Sequence, residues 1–260
     1  MDPRPAEPDP DHTGVGMAGS AHQQPSHSRA GSGFVLSETT ALVIANGDLA
    51  EPDAIRPRLA GLAPRWVIAA DGGTRHALTL GLHVDVLIGD LDSIEPAQAE
   101  RLRAEGAQVI AHPPGKDETD LELALLQARA LGASEIVVLG AVGSRLDMTL
   151  SNVLLLLHPA LRPAQVVLWH GRQTAFVVLP PGSKIPARSG DGVSLIPLAG
   201  DALGVRTQGL AFPLNGEALH LAAARGLSNV ATDNRVRVTF NQGALLVVVR
   251  PDAGGNDAES

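Results

Sequence analysis

Aspartates in the first half of this 260-residue chain stand where short apolar runs end: Ile44-Ala45-Asn46-Gly47-Asp48, Ala70-Asp71-Gly72-Gly73 and Ile88-Gly89-Asp90-Leu91-Asp92-Ser93. Asp90 and Asp92 are two residues apart, so an extended chain points both carboxylates to one side. Such a pair attracts a hard cation, and Mg²⁺ takes one or two carboxylates together with substrate phosphates. The same string also serves as a polar turn whose aspartate caps the next helix. Asp71-Gly72-Gly73 opens a helical pattern over 74–80, where glycines let backbone amides approach a phosphate at a helix N-terminus. A tight strand-to-helix turn accounts for those glycines equally well. The chain has neither a Walker A loop nor a Gly-x-Gly-x-x-Gly fingerprint, and Gly115-Lys116 is followed by Asp117 where a P-loop needs Ser or Thr.

Lysine is rare: Lys116 and Lys184 stand against 18 arginines. Lys116 sits in Gly115-Lys116-Asp117-Glu118-Thr119-Asp120, among carboxylates at the start of a helical pattern. The helix dipole explains Asp117 and Asp120, and a capping box explains Thr119 and Glu122; neither explains Lys116. Gly143-Ser144-Arg145-Leu146-Asp147 repeats the arrangement one strand later. Arg145 suits a phosphate, and Asp147, read alone, is best taken as an N-cap. Gly226-Leu227-Ser228-Asn229 reads as a turn carrying two hydrogen-bonding side chains.

These groups need a scaffold that brings strand ends together. Unbroken apolar runs at 41–45, 66–70, 86–88, 108–111, 136–139 and 166–169 suit parallel strands covered on both faces. Helical patterns at 120–131 and 147–158 alternate with them. In open parallel sheets, ligands bind outside the carboxyl ends of the strands. The expectation is an α/β N-terminal domain over 36–175, doubly wound on a mainly parallel sheet. After a change of texture near 172–183, short runs at 193–197, 204–207, 235–240 and 245–249 predict a small all-β sandwich-like domain over 180–250. Residues 1–35 and 251–260 are Pro-, Gly- and Ser-rich or polar and are expected to form disordered tails.

Composition excludes several function classes. The chain has no Cys, which removes disulfides, zinc–thiolate sites and cysteine nucleophiles. A formal charge of −8, no Tyr, four Phe and two Trp argue against nucleic-acid binding. No apolar run approaches a membrane span, and no secretory leader is legible. A soluble, cytoplasmic protein is expected.

Taken together, the motifs resemble the thiamine pyrophosphokinase family. The resemblance rests on Asn46-Gly47-Asp48, Asp71-Gly72-Gly73, Asp90-Leu91-Asp92-Ser93, Lys116 to Asp120, Arg145-Leu146-Asp147 and Ser228-Asn229, in that order. It implies pyrophosphoryl transfer from ATP to the hydroxyl of thiamine, giving thiamine diphosphate and AMP. It also implies a homodimer with active sites between subunits. Residue by residue, Asp90, Asp92 and Asp120 would hold Mg²⁺, and Lys116 would stabilise charge on the transferred phosphates. Asp71, Gly72, Gly73, Arg145 and Asp147 would contact ATP, and Ser228 and Asn229 would face thiamine, from either subunit. Two departures stand out: Ser144 and Met148 replace the Gly and His found in many members. Both Trp66 and Trp169 lie in the first domain, which leaves Phe240 and Phe212 as aromatic partners for thiamine. The alternatives are a pterin-type pyrophosphokinase of similar fold and a non-catalytic thiamine or nucleotide sensor.

Overall fold

Strand β1 (Thr40–Ile44) is buried along its whole length. Ala41 and Val43 enter one apolar cluster while Leu42 and Ile44 enter another, as a strand covered on both faces requires. The structure is a computed structural model that describes residues 39–252; the tail expected over 1–35, and all of the one expected over 251–260 except Pro251 and Asp252, lie outside the described residues.

After β1 come α1 (Pro52–Leu62), β2 (Trp66–Ala70), α2 (Thr74–Leu80), β3 (Val86–Gly89), α3 (Pro96–Ala104) and β4 (Gln108–Ala111). Then follow α4 (Asp120–Ala130), β5 (Glu135–Leu139), α5 (Leu146–Leu155) and β6 (Gln165–His170). These strands pair in parallel in the order β6-β5-β1-β2-β3-β4. Helices α1, α2 and α3 cover one face through residues such as Ile55, Ala77 and Leu102; α4 covers the other through Leu121, Ala124, Leu125 and Ala128. The sheet is doubly wound, as expected. Its order reverses at β1, with β2 to β4 on one side and β5 and β6 on the other. This opens a crevice at the carboxyl ends of β1 and β5.

The second half is β7 (Gln173–Val178), β8 (Gly182–Lys184), β9 (Gly192–Pro197), β10 (Ala202–Gln208), β11 (Asn215–Leu219), β12 (Asn229–Val230), β13 (Arg237–Thr239) and β14 (Leu245–Arg250). The stretch 172–183, where the sequence changes texture, holds a strand: β7 folds back antiparallel on β6. Strands β14, β9 and β12 then extend the same sheet to ten strands, ordered β12-β9-β14-β7-β6-β5-β1-β2-β3-β4. A separate antiparallel sheet, β11-β10-β13-β8, shares a core with β7, β9 and β14. Phe176, Leu195 and Val247 from the long sheet meet Val205, Leu219 and Phe240 in that core. A β-rich second half follows the α/β half, as the sequence predicts, with strands of both in one sheet.

Helix α1 is fastened across this seam. Arg58 lies over the Trp169 ring, 3.9 Å from its centroid, and donates to Gly171 O (2.8 Å) and Thr174 Oγ1 (2.7 Å). Burial lowers the Arg58 guanidinium to about 10, which leaves it charged at neutral pH.

Candidate active site

The carboxyl ends of β1, β2, β3 and β5 surround a cleft of about 430 Å³. Its wall includes Asn46, Asp71, Asp90, Asp92, Asp120 and Arg145. Another concavity, of about 390 Å³, lies on the β-rich half around Arg206 and Asn241, and its lining contains no carboxylate.

Asp71, Asp90 and Asp92 each place a carboxylate oxygen within 4.8 Å of the other two. Asp71 is 4% exposed, and its buried Oδ1 has no hydrogen-bond partner among the described residues. The convergence does not come from an extended chain, as the two-residue spacing suggested. Leu91 adopts a left-handed conformation at φ 62°, and the Asp92 amide donates to Asp90 Oδ1 at 3.3 Å, so a turn presents both carboxylates. Asp71 is left-handed too, at φ 44°. Each such non-glycine residue costs about 1–2 kcal/mol, and strain of this kind concentrates at functional sites.

Asp120 stands beside this trio rather than in it. Lys116 Nζ lies 2.8 Å from Asp120 Oδ1 and 3.8 Å from Asp90 Oδ2. Burial by itself would lower the Lys116 ammonium, but the hydrogen bond to Asp120 and the charges of Asp120, Asp90 and Asp71 outweigh it and raise the group above the ordinary lysine value. Helix α4, which carries Asp120, starts with the N-cap half of the expected capping box: the Glu122 amide donates to Thr119 Oγ1 at 3.2 Å, while the Glu122 carboxylate lies 3.7 Å from His158 Nε2.

The glycines of Asp71-Gly72-Gly73 have a packing reason. A Cβ on Gly72 would collide with the Asn46 side chain, and one on Gly73 with the carbonyl of Ile44. Their smallness lets a 3₁₀ turn (Asp71–Gly73) press against the end of β1. From there α2 grips the next loop: Arg75 Nη2 donates to Asn46 O at 3.0 Å, and His76 Nε2 lies 2.7 Å from Gly47 O. The His76 ring, largely buried, is lowered below the ordinary histidine value, chiefly by desolvation and secondarily by the Arg75 charge; the Gly47 bond and Asp48 act in the other direction. The unfolded chain therefore takes up this proton near pH 6.5 while the native ring resists it. Native stability falls as pH drops through 6.5 and stops falling below the native value. His76→Gln keeps a donor for Gly47 and removes the titration. In urea denaturation at pH 7.5 and 5.5, the variant is expected to lose less stability than wild type; equal losses would refute the assignment.

Arg145 reaches the cleft rim, where it pairs with Asp147 at 2.6 Å, both side chains exposed. The N-cap reading of Asp147 does not hold. Helix α5 begins at Leu146, one residue earlier, so Asp147 lies in its first turn, its carboxyl held below the usual range by the Arg145 hydrogen bond. Sequence reasoning overlooked Asn152. It is buried in the cleft wall and donates to Ala141 O at 2.8 Å, and its Oδ1 has no hydrogen-bond partner among the described residues. The available signal was an amide two turns into a helix that leaves a strand end of the crevice.

Ser228 and Asn229 are not in this cleft. They lie at β12, the far edge of the long sheet. The Asn229 amide is committed: Oδ1 accepts from Phe212 N (3.0 Å) and Val230 N (2.9 Å), and Nδ2 donates to Phe212 O (2.7 Å). It clamps the backbone of Phe212, whose ring is 70% exposed. Phe240, by contrast, is 2% exposed in the core between the sheets and only borders the concavity around Arg206 and Asn241.

Comparison with known proteins accounts for both halves of the chain. Residues 63–168 match the family model described as thiamin pyrophosphokinase, catalytic domain. Residues 183–245 match the one described as thiamin pyrophosphokinase, vitamin B1 binding domain. A thiamine pyrophosphokinase of Bacillus subtilis is 27% identical over 187 residues, 71% of this chain and 87% of its own. The crystal structure of a Bacillus subtilis thiamine pyrophosphokinase covers 82% of this chain and 100% of its own, with a TM-score of 0.71 at 26% identity. That of thiamin pyrophosphokinase from Candida albicans, 15% identical, covers 82% of this chain and 89% of its own with a TM-score of 0.68, a likeness of fold. The carboxylate-lined crevice of the first half and the β-rich second half thus match both of that family's domains in order, and the chain belongs to the thiamin pyrophosphokinase family.

Proposed function

We propose that the protein transfers the pyrophosphoryl group of ATP to thiamine, giving thiamine diphosphate and AMP. The observation that carries this reading is the meeting of Asp71, Asp90 and Asp92 with Lys116 at the strand ends of a family member. The thiamine hydroxyl oxygen bonds to the β-phosphorus and releases its proton. The bond from that phosphorus to the oxygen bridging to the α-phosphate breaks, and AMP leaves with the oxygen. Lys116 places a cation where negative charge gathers on the transferred group. Arg145 meets the nucleotide at the rim, and the loop fixed by Arg75 and His76 lines its seat. Phosphorus NMR of protein, ATP, Mg²⁺ and thiamine tests the reaction. AMP and thiamine diphosphate in equal amounts are expected; ADP would mean a monophosphate kinase, and no turnover would overturn the reading.

The donor set fits Mg²⁺: all oxygen, three carboxylates within 4.8 Å, and one buried oxygen lacking any other partner. Asp71, Asp90 and Asp92 would hold the ion, with Asp120 alongside through Lys116. When bound, it neutralises charge on the nucleotide phosphates.

The working unit in this reading is a homodimer. Seven strand intervals separate β12 from β2, about 34 Å at the usual spacing. A Ser228 that meets thiamine above Asp71 therefore belongs to a second copy, together with the Phe212 that Asn229 positions. Helix α5, next to Arg145, carries an unpartnered stripe of Leu146, Leu150 and Leu154, exposed by 70%, 57% and 52%. A contiguous apolar stripe at this place suits a subunit contact. Changing Leu150 and Leu154 together to Glu is expected to shift light-scattering mass from dimer to monomer and cut turnover more than about tenfold. A dimer that survives unchanged would place the interface elsewhere.

A further inference from the structure

Four carboxylates surround the mouth of the cleft, and one cation serves them. Among the described residues, Lys116 is the only basic side chain that forms an ion pair with any of Asp71, Asp90, Asp92 or Asp120. Its side chain is 9% exposed, which holds the ammonium against the cluster rather than in solvent. The space is tight: a Cβ on Gly89 would lie 3.0 Å from both Asp120 Oδ1 and Asp71 Cβ. The ammonium therefore stands at the edge of the trio, sharing Asp90 with it.

We propose that Lys116 is a built-in counter-ion: it neutralises the carboxylates until a divalent ion arrives bound to nucleotide, and so discriminates against the free ion. The inference rests on the divalent-ion reading of the trio given above. A free ion must settle beside an ammonium that already uses Asp90, and like charges this close repel. Screened by solvent and protein, a neighbouring positive charge lowers the affinity of a divalent ion by about 10- to 100-fold. A nucleotide removes the conflict, because its phosphates give Lys116 a new partner and reduce the charge of the incoming complex. The buried, unpartnered Oδ1 of Asp71 fits this account: Lys116 reaches Asp90 and Asp120, and Asp71 keeps an oxygen in reserve. A purely structural tie between the start of α4 and the end of β3 would predict no such selectivity.

The test is Mn²⁺ binding by the full chain, read from the electron paramagnetic resonance signal of free Mn²⁺, with and without adenosine α,β-methylene triphosphate. Without nucleotide, Lys116→Met is expected to bind Mn²⁺ about 10- to 100-fold more tightly than wild type, while Lys116→Arg stays close to wild type. With the analogue, the advantage of Lys116→Met should vanish or reverse. If Lys116→Met binds Mn²⁺ alone no better than wild type, while wild type takes it up with the analogue, the counter-ion proposal fails and the divalent-ion reading stands. If neither protein takes up Mn²⁺ in either condition, both fail. A variant that unfolds readily is read through melting temperature, since an ion that binds the native state raises it. A larger Mn²⁺-induced rise in Lys116→Met than in wild type supports the proposal, and equal rises overturn it.

Discussion

Asp92→Asn is expected to reduce turnover by about 10²- to 10³-fold while leaving thermal unfolding within a few degrees of wild type. Asp92 forms no ion pair among the described residues; its Oδ1 accepts from Ser93 Oγ at 2.9 Å, and its amide closes the turn at Leu91. The asparagine side chain has nearly the same shape and keeps an oxygen for Ser93, so the turn survives. Removing one of several crowded carboxylates also relieves repulsion in the unliganded state. What disappears is a full negative charge from the oxygen set that would meet the divalent ion. Loss of one preorganised electrostatic contact to a transferring group costs about 3–4 kcal/mol at the transition state, hence the factor. Steady-state turnover and a calorimetric melt on the same preparation decide the matter. Near-native turnover would remove Asp92 from the site, and a collapse in melting temperature would make it a structural residue.

Gly73→Ala should be strongly destabilising for a single-methyl change, at about 3 kcal/mol. Its backbone is ordinary for a helix start, φ −57° and ψ −20°, so conformational freedom is not the issue. The obstacle is that the new Cβ would occupy the space of the Ile44 carbonyl. Backbone cannot swing aside as a flexible side chain can, so either β1 bends or α2 moves off. Movement of α2 takes Arg75 and His76 with it, and the loop they hold loses its seat. Gly61→Ala is the natural control: it lies inside α1, nothing stands within 4 Å of its added Cβ, and the change should stabilise by about 0.5 kcal/mol. Urea denaturation of the pair gives the contrast, and a Gly73→Ala loss below 1 kcal/mol would mean the junction is looser than drawn.

The parallel strands were legible because burial on both faces leaves no polar interruption. The run at 66–70 matches the observed strand residue for residue and 41–45 is displaced by one; 108–111 matches in its bounds, but it forms the edge strand β4, exposed at Gln108 and Ala111 rather than covered on both faces as expected. Helices α1 and α3 were not recognised. Each buries only two residues, and α1 contains Pro57 and Gly61, so neither writes a strong helical period. Strand β7 was hidden by the change of texture around it, and β12, two residues long, has no pattern to read. At the site, aspartate spacing pointed to the right strand ends, but the place of Asp71 in the trio depends on left-handed backbone that composition does not announce. The commitment of Asn229 to the Phe212 backbone is likewise a tertiary fact. Phe240 was decidable in advance: in Val236-Arg237-Val238-Thr239-Phe240 the apolar residues alternate with polar ones, which turns the ring inward with Val236 and Val238.

The strand at residues 245–250 lies between β7 and β9, bonded to both. During synthesis the chain leaves the ribosome in order, and the parallel strands with their helices have all emerged by about residue 170. The β-rich half has no such head start. Its long sheet lacks the central rung until residue 250 has cleared the exit tunnel, and until then β9 and β12 have nothing to join them to β7. The nascent catalytic half must therefore wait, with the outer edge of β7 bare, for the last strand to close the sheet.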